Sequence, residues 1–270
     1  MKSALILLGH SIKRVRALVL AMGLLLAGFQ ILIVLVGSEI QTSGSFNQFA
    51  NLVPPFVRQM FGQMLDVFLS FKGIVALGYF HLAIMGGLIG LVIALATVPS
   101  SEIETGFMDL LLSRPLARYW IITRALALVV VTIIFMLAMI MLGTWTGLMI
   151  FGPADAEWPT IGLILSLALN LGILLLCWGG VALAVASVAR RRGAAGAIAG
   201  MLALTTFLLD YIGRAWEPAE TVAWISPFRY YSPLDLVRGA YIPGHHVFVL
   251  LGIALTGIVV AYIAFSRRDI

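Results

Sequence analysis

The sequence predicts an all-α integral membrane protein: six transmembrane helices, both termini cytoplasmic, an interfacial helix at the N-terminus and a further short helix on the cytoplasmic side. Three observations carry this. Of its 270 residues, 61% are hydrophobic and only 11% charged, against about a quarter charged in an ordinary soluble domain. Apolar runs over about 17–37, 74–98, 121–150, 161–188, 194–213 and 245–265 match the roughly 20 residues that a helix needs to cross hydrocarbon. The lysines and arginines, finally, are unevenly shared between the two sides of the membrane. No alternation of period two with turn signals occurs, which argues against a β-barrel. Residues 1–270 read as one transmembrane domain, and its third and fourth spans are long enough to tilt or project.

Six spans put both termini on one side. That side carries Lys2, Lys13, Arg14 and Arg16, then Arg114, Arg118 and Arg124, then Arg190 to Arg192, and finally Arg267 and Arg268. The other side is left with Arg58, Lys72, Arg214, Arg229 and Arg238. The positive side faces the cytoplasm. The net charge of +5 follows from this bias. Because the basic residues flank spans rather than form a folded face, nucleic acid is not among the expected partners.

The elements follow in order. Ala4, Leu5, Leu8, Ile12 and Val15 recur at helical spacing beside Lys13, Arg14 and Arg16. They fit an interfacial helix on the cytoplasmic surface, or simply a charged anchor. The run of about 21 apolar residues that follows is longer than a signal-peptide core and lacks an A-x-A site, so the first span is expected to be retained. After Pro54-Pro55, an apolar stripe of Val57, Met60, Phe61, Met64, Leu65 and Phe68 predicts an amphipathic helix on the outer side. Pro99 ends the second span, and Ser101 with Glu104 fits a capping box that starts a new helix. Ile103, Phe107, Leu110 and Leu111 share one face of it, with Glu102, Thr105 and Asp109 on others, and Pro115 breaks it at Arg114. The single cysteine, Cys177, lies mid-span and reads as packing, with no metal cluster about it. Gly86-Gly87, Gly179-Gly180 and Gly193 to Gly200 suggest close helix packing. In the last outer loop, Ser226 to Asp235 mixes turn prolines with aromatics; it fits a lid or an interfacial belt equally well. Ser232, Pro233 and Asp235 resemble an N-cap, a first-turn proline and a first-turn acid, opening a short helix through about Tyr241.

Polar groups at membrane depth are costly in lipid and tend to face a cavity or a partner helix. Thr144, Trp145, Thr146 and Asn170, with Tyr79, His81 and Asp210 nearer the outer face, are the candidates for a translocation pathway; each fits interhelical hydrogen bonding as well.

The segment Ser100 to Arg124 gathers acids, arginines, a proline and an apolar ridge. Its pattern of Glu102, Glu104, Gly106, Leu110, Leu111, Leu112, Ser113, Pro115, Leu116 and Arg118 resembles that of the permease subunits of type-2 ABC exporters, the NosY-like permeases in particular. The stretches PPFVRQMFG at 54–62, GYFH at 78–81 and SPFRYYSP at 226–233 resemble family features in the same order, as does the six-span layout. The family's acidic run often continues into Gly-Thr, whereas here Thr105 precedes Gly106 and Phe107 follows. The resemblance implies a multi-pass protein of the plasma membrane (the bacterial inner membrane). It implies that the 100–120 segment is a coupling helix docking a separate ABC ATPase through Glu102, Glu104, Gly106, Phe107, Leu110, Leu111, Arg114, Pro115 and Arg118. A second permease copy or a homologous permease, and membrane lipid, are the other implied partners.

No G-x-x-x-x-G-K-[ST] motif occurs, and Lys2, Lys13 and Lys72 lie outside any glycine-rich loop. The chain is therefore not expected to be an enzyme or to hold a cofactor; ATP and Mg²⁺ belong to the partner subunit. An intramembrane enzyme would need paired catalytic groups at one depth, and His81 and His245-His246 show no such partners in the sequence. A channel or a membrane scaffold fits the amphipathic cytoplasmic helix as well as an exporter does.

Overall fold

A computed structural model of the chain describes residues 2–43, 70–107, 117–239 and 241–268. Among them the chain is helical, without strands. The outer amphipathic helix expected over 54–68 lies outside the described residues. Six helices or helix pairs are long and apolar enough to cross a membrane. The first is α1 (Lys2–Thr42). The second is made of α2 (Phe71–Phe80) and α3 (Leu82–Ala96), and the short α4 (Val98–Glu104) follows it. The others are α5 (Tyr119–Phe151), α6 (Ile161–Val188), α7 (Arg192–Gly213) and α10 (Gly244–Ser266). Between α7 and α10 come α8 (Glu217–Ala223), a 3₁₀ turn (Pro227–Tyr230) and α9 (Pro233–Val237). The arginine-rich helix ends converge at one end of the bundle, here called the basic end. The surface-lying segment expected ahead of the first span is continuous with it, because no break interrupts Lys2–Thr42.

Two pairs of spans that run in the same direction dominate the packing, α1 on α5 and α6 on α10. Small residues bring the backbones of each pair together, as is usual where lipid supplies no hydrophobic drive between helices. A Cβ on Gly180 would lie 2.4 Å from the Ala254 carbonyl oxygen, and one on Gly257 would lie 2.5 Å from the Gly180 backbone. Likewise, a Cβ on Gly143 would stand 2.6 Å from the Ala27 carbonyl. Of the expected glycine runs, Gly179-Gly180 thus serves close packing. At Gly86, Gly193, Gly196 and Gly200 an added Cβ would meet no atom within 4 Å, so these glycines face away from the neighbouring helices. Trp178 and Tyr79 are the largest side chains of the buried core.

The second span, expected to run unbroken, is interrupted at His81, whose ψ of 129° leaves the helical region. A break inside hydrocarbon strands backbone groups that must be satisfied locally. Here the His81 ring enters the ladder and its Nδ1 accepts the Ala83 N–H at 3.3 Å. The Tyr79 carbonyl, which Ala83 would otherwise serve, instead receives the Tyr231 hydroxyl at 2.9 Å. Burial pushes the Tyr231 phenol well above its ordinary range, so it stays a donor. The Tyr231 bond anchors the SPFRYYSP loop to the second span, and two further contacts anchor it to α6 and α7: Phe228 packs on Trp178 of α6 with ring centroids 5.7 Å apart, and the Ser226 hydroxyl donates to the Thr206 carbonyl of α7 at 2.8 Å. The helix expected from Ser232 to about Tyr241 is shorter, because Gly239 turns to a φ of +90°. The Ser232 side chain faces His246 Nδ1 at 3.4 Å instead of capping the helix.

Two substitutions test these contacts. Gly257→Val overpacks the α6–α10 seam and destabilises the chain by about 2 kcal/mol, whereas Gly252→Ala, with no atom in range, does not; thermal denaturation in detergent separates the two. Tyr231→Phe strands the Tyr79 carbonyl and costs about 1–3 kcal/mol, read by the same assay.

Candidate functional site at the basic end of the bundle

The turn between the second and third spans begins differently from the capping box expected at Ser101. Thr97 ends α3 and starts α4, and Pro99 takes the first turn, where a missing N–H costs nothing. Ser101 is therefore inside the helix and Glu104 at its end. Gly106, at φ +69°, terminates it in the left-handed region, as a glycine commonly does. The Ser100 hydroxyl crosses to the Ala186 carbonyl at 2.8 Å and fixes α4 against the end of α6.

The acids of α4 face inward and sideways. Glu102 pairs with Arg124 of α5, their side chains 5% and 8% exposed. A charge pair this deep holds only while both partners remain. Glu104 reaches the start of α7, where its Oε2 accepts the Arg192 N–H at 2.9 Å. That helix has no side-chain cap of its own, so Glu104 provides an acceptor and a negative charge where the helix dipole favours them.

Arginines close the opposite kind of helix end. The Arg192 guanidinium donates to the Ala94 carbonyl at 3.1 Å, near the end of α3. Arg268 donates to the Ser187 and Ala189 carbonyls at 2.9 and 3.1 Å, at the end of α6. Arg118, at the start of α5, donates to the main-chain oxygen of Arg268. Burial and the nearby Arg190 charge lower the Arg268 guanidinium pKa from its ordinary value, consistent with its crowded place under these carbonyls. One lattice of charge-assisted bonds thus joins α3, α4, α5, α6, α7 and the C-terminal end of α10. Beside it opens a cavity of about 490 Å³, bordered by Arg14, Glu102, Phe107, Arg124 and Arg192.

Of the expected docking residues, Glu104, Gly106 and Phe107 are exposed, and Phe107 shows 44% of its surface. Glu102 is turned inward, and Arg118 is half-buried. Leu110, Leu111, Arg114 and Pro115 lie outside the described residues. Among the expected pathway residues, Tyr79 and Thr144 share a hydrogen bond of 2.9 Å, fully buried between α2 and α5. Thr144 and Thr146 also bond back to the carbonyls of Ile140 and Leu142. Trp145 faces outward, Asn170 is buried in α6, and Asp210 pairs with Arg214. The exposed His81 ring packs near Phe29. No second hydrogen bond joins any two of these seven among the described residues. Sequence reasoning missed Gln30, a buried amide whose Nε2 donates to the Val75 carbonyl at 2.8 Å; a polar residue in the middle of a span was the available signal. It also gave Arg124, Arg192 and Arg268 no role beyond marking topology, since their partners lie far along the chain.

In comparison with known proteins, the model of a family described as ABC-2 family transporter protein matches residues 11–270. Neither the curated proteins nor the solved structures give a match.

The Glu102–Arg124 pair makes the sharpest prediction here. Glu102→Ala or Arg124→Ala alone leaves a buried charge unpaired and costs about 3–5 kcal/mol. The double variant Glu102→Leu/Arg124→Met recovers most of that loss in thermal denaturation of the purified protein.

Proposed function

The chain belongs to the ABC-2 family of transporter proteins, a multi-pass membrane family of transport components, and on that premise we propose that it is the permease of an ATP-driven exporter. Permeases of this family work with an ABC ATPase. In this proposal the ATPase is a separate subunit that docks on the segment from Ser101 to Arg118 from the cytoplasmic side. A second permease copy, or a homologous permease, completes the assembly in the bacterial inner membrane. ATP and Mg²⁺ are held by the ATPase, and this chain contributes no catalytic group. The similarity to the NosY-like permeases belongs to the same proposal.

The observation that carries it is the lattice at the basic end. Residues in and beside the docking segment are the ones that tie helix ends together: Glu102 to α5, Glu104 to α7, Ser100 to α6 and Arg118 to the end of α10. A displacement of this turn by a docked ATPase is therefore felt by five of the six spans at once. Rigid-body rocking between inward- and outward-facing states is the motion such coupling supports. Phe107, Leu110 and Leu111 would fill an apolar groove on the ATPase, with Arg114 and the exposed rim fixing orientation by charge. Glu102 keeps a supporting part, because its carboxylate is committed to Arg124.

The test is co-purification with the cognate ABC ATPase. Leu111→Glu combined with Arg114→Ala is expected to weaken association at least tenfold, the effect of about 1.4 kcal/mol, and to abolish substrate-stimulated ATP hydrolysis. Full association with full stimulation overturns the docking assignment.

A further inference from the structure

A second cavity lies at the opposite end of the bundle, away from the docking region. It has a volume of about 210 Å³ and sits among the last turn of α7, the break in the second span and the loop that carries Phe228 and Asp235. We propose that this cavity is a binding site for an ammonium group.

The central observation is Asp210, 6% exposed and on the cavity wall. Arg214 approaches it end-on: Nε and Nη2 both lie 2.9 Å from Oδ2. The other carboxylate oxygen, Oδ1, is buried and has no hydrogen-bond partner among the described residues. A carboxylate oxygen removed from water without a donor is costly, so the position calls for an N–H or a cation. Asp235 lines the same cavity. Its own arginine, Arg238, is 3.8 Å away and both are substantially exposed, so that pair leaves the carboxylate largely available. The lining itself carries two acids and one arginine, Arg214.

Much of the remaining wall is aromatic. Phe207 meets Phe228 edge-on with centroids 5.4 Å apart and stacks with Tyr211 at 6.4 Å; Phe80 also borders the space. Ring faces attract an ammonium group and discriminate against anions, the more so when water is excluded. The C-terminal end of α7 adds its partial negative charge at the same place. The volume suits a small amine headgroup, being below the range of pockets that enclose a drug-sized ligand. Few oxygens on a largely apolar lining favour an alkylammonium over a bare metal ion, which wants several oxygens at once.

An ammonium group could arrive on a phosphatidylethanolamine headgroup or as a free amine, and two arms of one experiment distinguish them. In the first, the chain is reconstituted in nanodiscs of equal phosphatidylethanolamine and phosphatidylglycerol, and the lipid retained on release is counted by native mass spectrometry. In the second, nanodiscs of phosphatidylglycerol alone are titrated with tetramethylammonium and with ethanolamine, using sodium chloride as the ionic-strength control, and thermal stability is followed. Selective retention of phosphatidylethanolamine assigns the site to a lipid headgroup; saturable stabilisation by the amines assigns it to a soluble amine. Either effect should weaken at least about fivefold in Asp210→Asn, and by a smaller factor in Phe207→Leu and Asp235→Asn. The last two keep the Asp210–Arg214 pair, so a folding defect in Asp210→Asn does not remove the test. Retention and stabilisation indistinguishable from phosphatidylglycerol and sodium, or unchanged in all three variants, overturn the proposal.

Discussion

Every helix that stops at or within the bilayer leaves backbone groups without intrahelical partners, and lipid cannot supply them. This constraint organises the molecule. At the basic end, Arg192, Arg268 and Arg118 lie under the carbonyls of α3, α6 and α10, while Glu104 serves the amides of α7. In the second span, His81 and Tyr231 perform the same duty for a break. The charges expected to set topology include the groups that close the ends of the helices.

The same constraint explains why the turn at α4 is not a free appendage. An interfacial loop helix resting on lipid could shift without consequence. Here α4 is held by a buried ion pair, a serine on a neighbouring carbonyl and a carboxylate on a neighbouring helix start. Bonds to charged groups in a poorly solvated setting are stronger than their surface counterparts. The turn and the spans around it are therefore one mechanical unit.

Much of this was legible in the sequence. Length and apolarity decide where spans lie, so all but the first fall within a few residues of their expected limits, and the first extends further at both ends. The motifs were harder. Ser101 and Glu104 have the spacing of a capping box, but Pro99 just ahead offered a better start, and spacing alone cannot rank the two. The break at His81 is hidden within an apolar run, because hydropathy registers what the side chains prefer and not where the backbone bends. The partners of Glu102, Ser100, Arg192 and Arg268 are 22 to 98 residues away, beyond any local periodicity. Glycine runs misled for the same reason: Gly180 and Gly193 look alike until a facing helix is present to distinguish them. Leu110, Leu111, Arg114 and Pro115 rest on the sequence pattern alone.

The glycine seams have a mechanical side as well. Where Gly180 meets Ala254 and Gly257, or Gly143 meets Ala27, the two backbones touch with no side chain between them. Flexible side chains are the compliant layer of most helix contacts; without them a pair bends as one beam. At about 1.5 Å of rise per residue, the 41 residues of α1 extend about 60 Å, roughly twice the thickness of hydrocarbon. Seated against α5, α1 is longer than the hydrocarbon is thick, so the backbone contact at Gly143 and Ala27 gives leverage on either projecting end a stiff fulcrum.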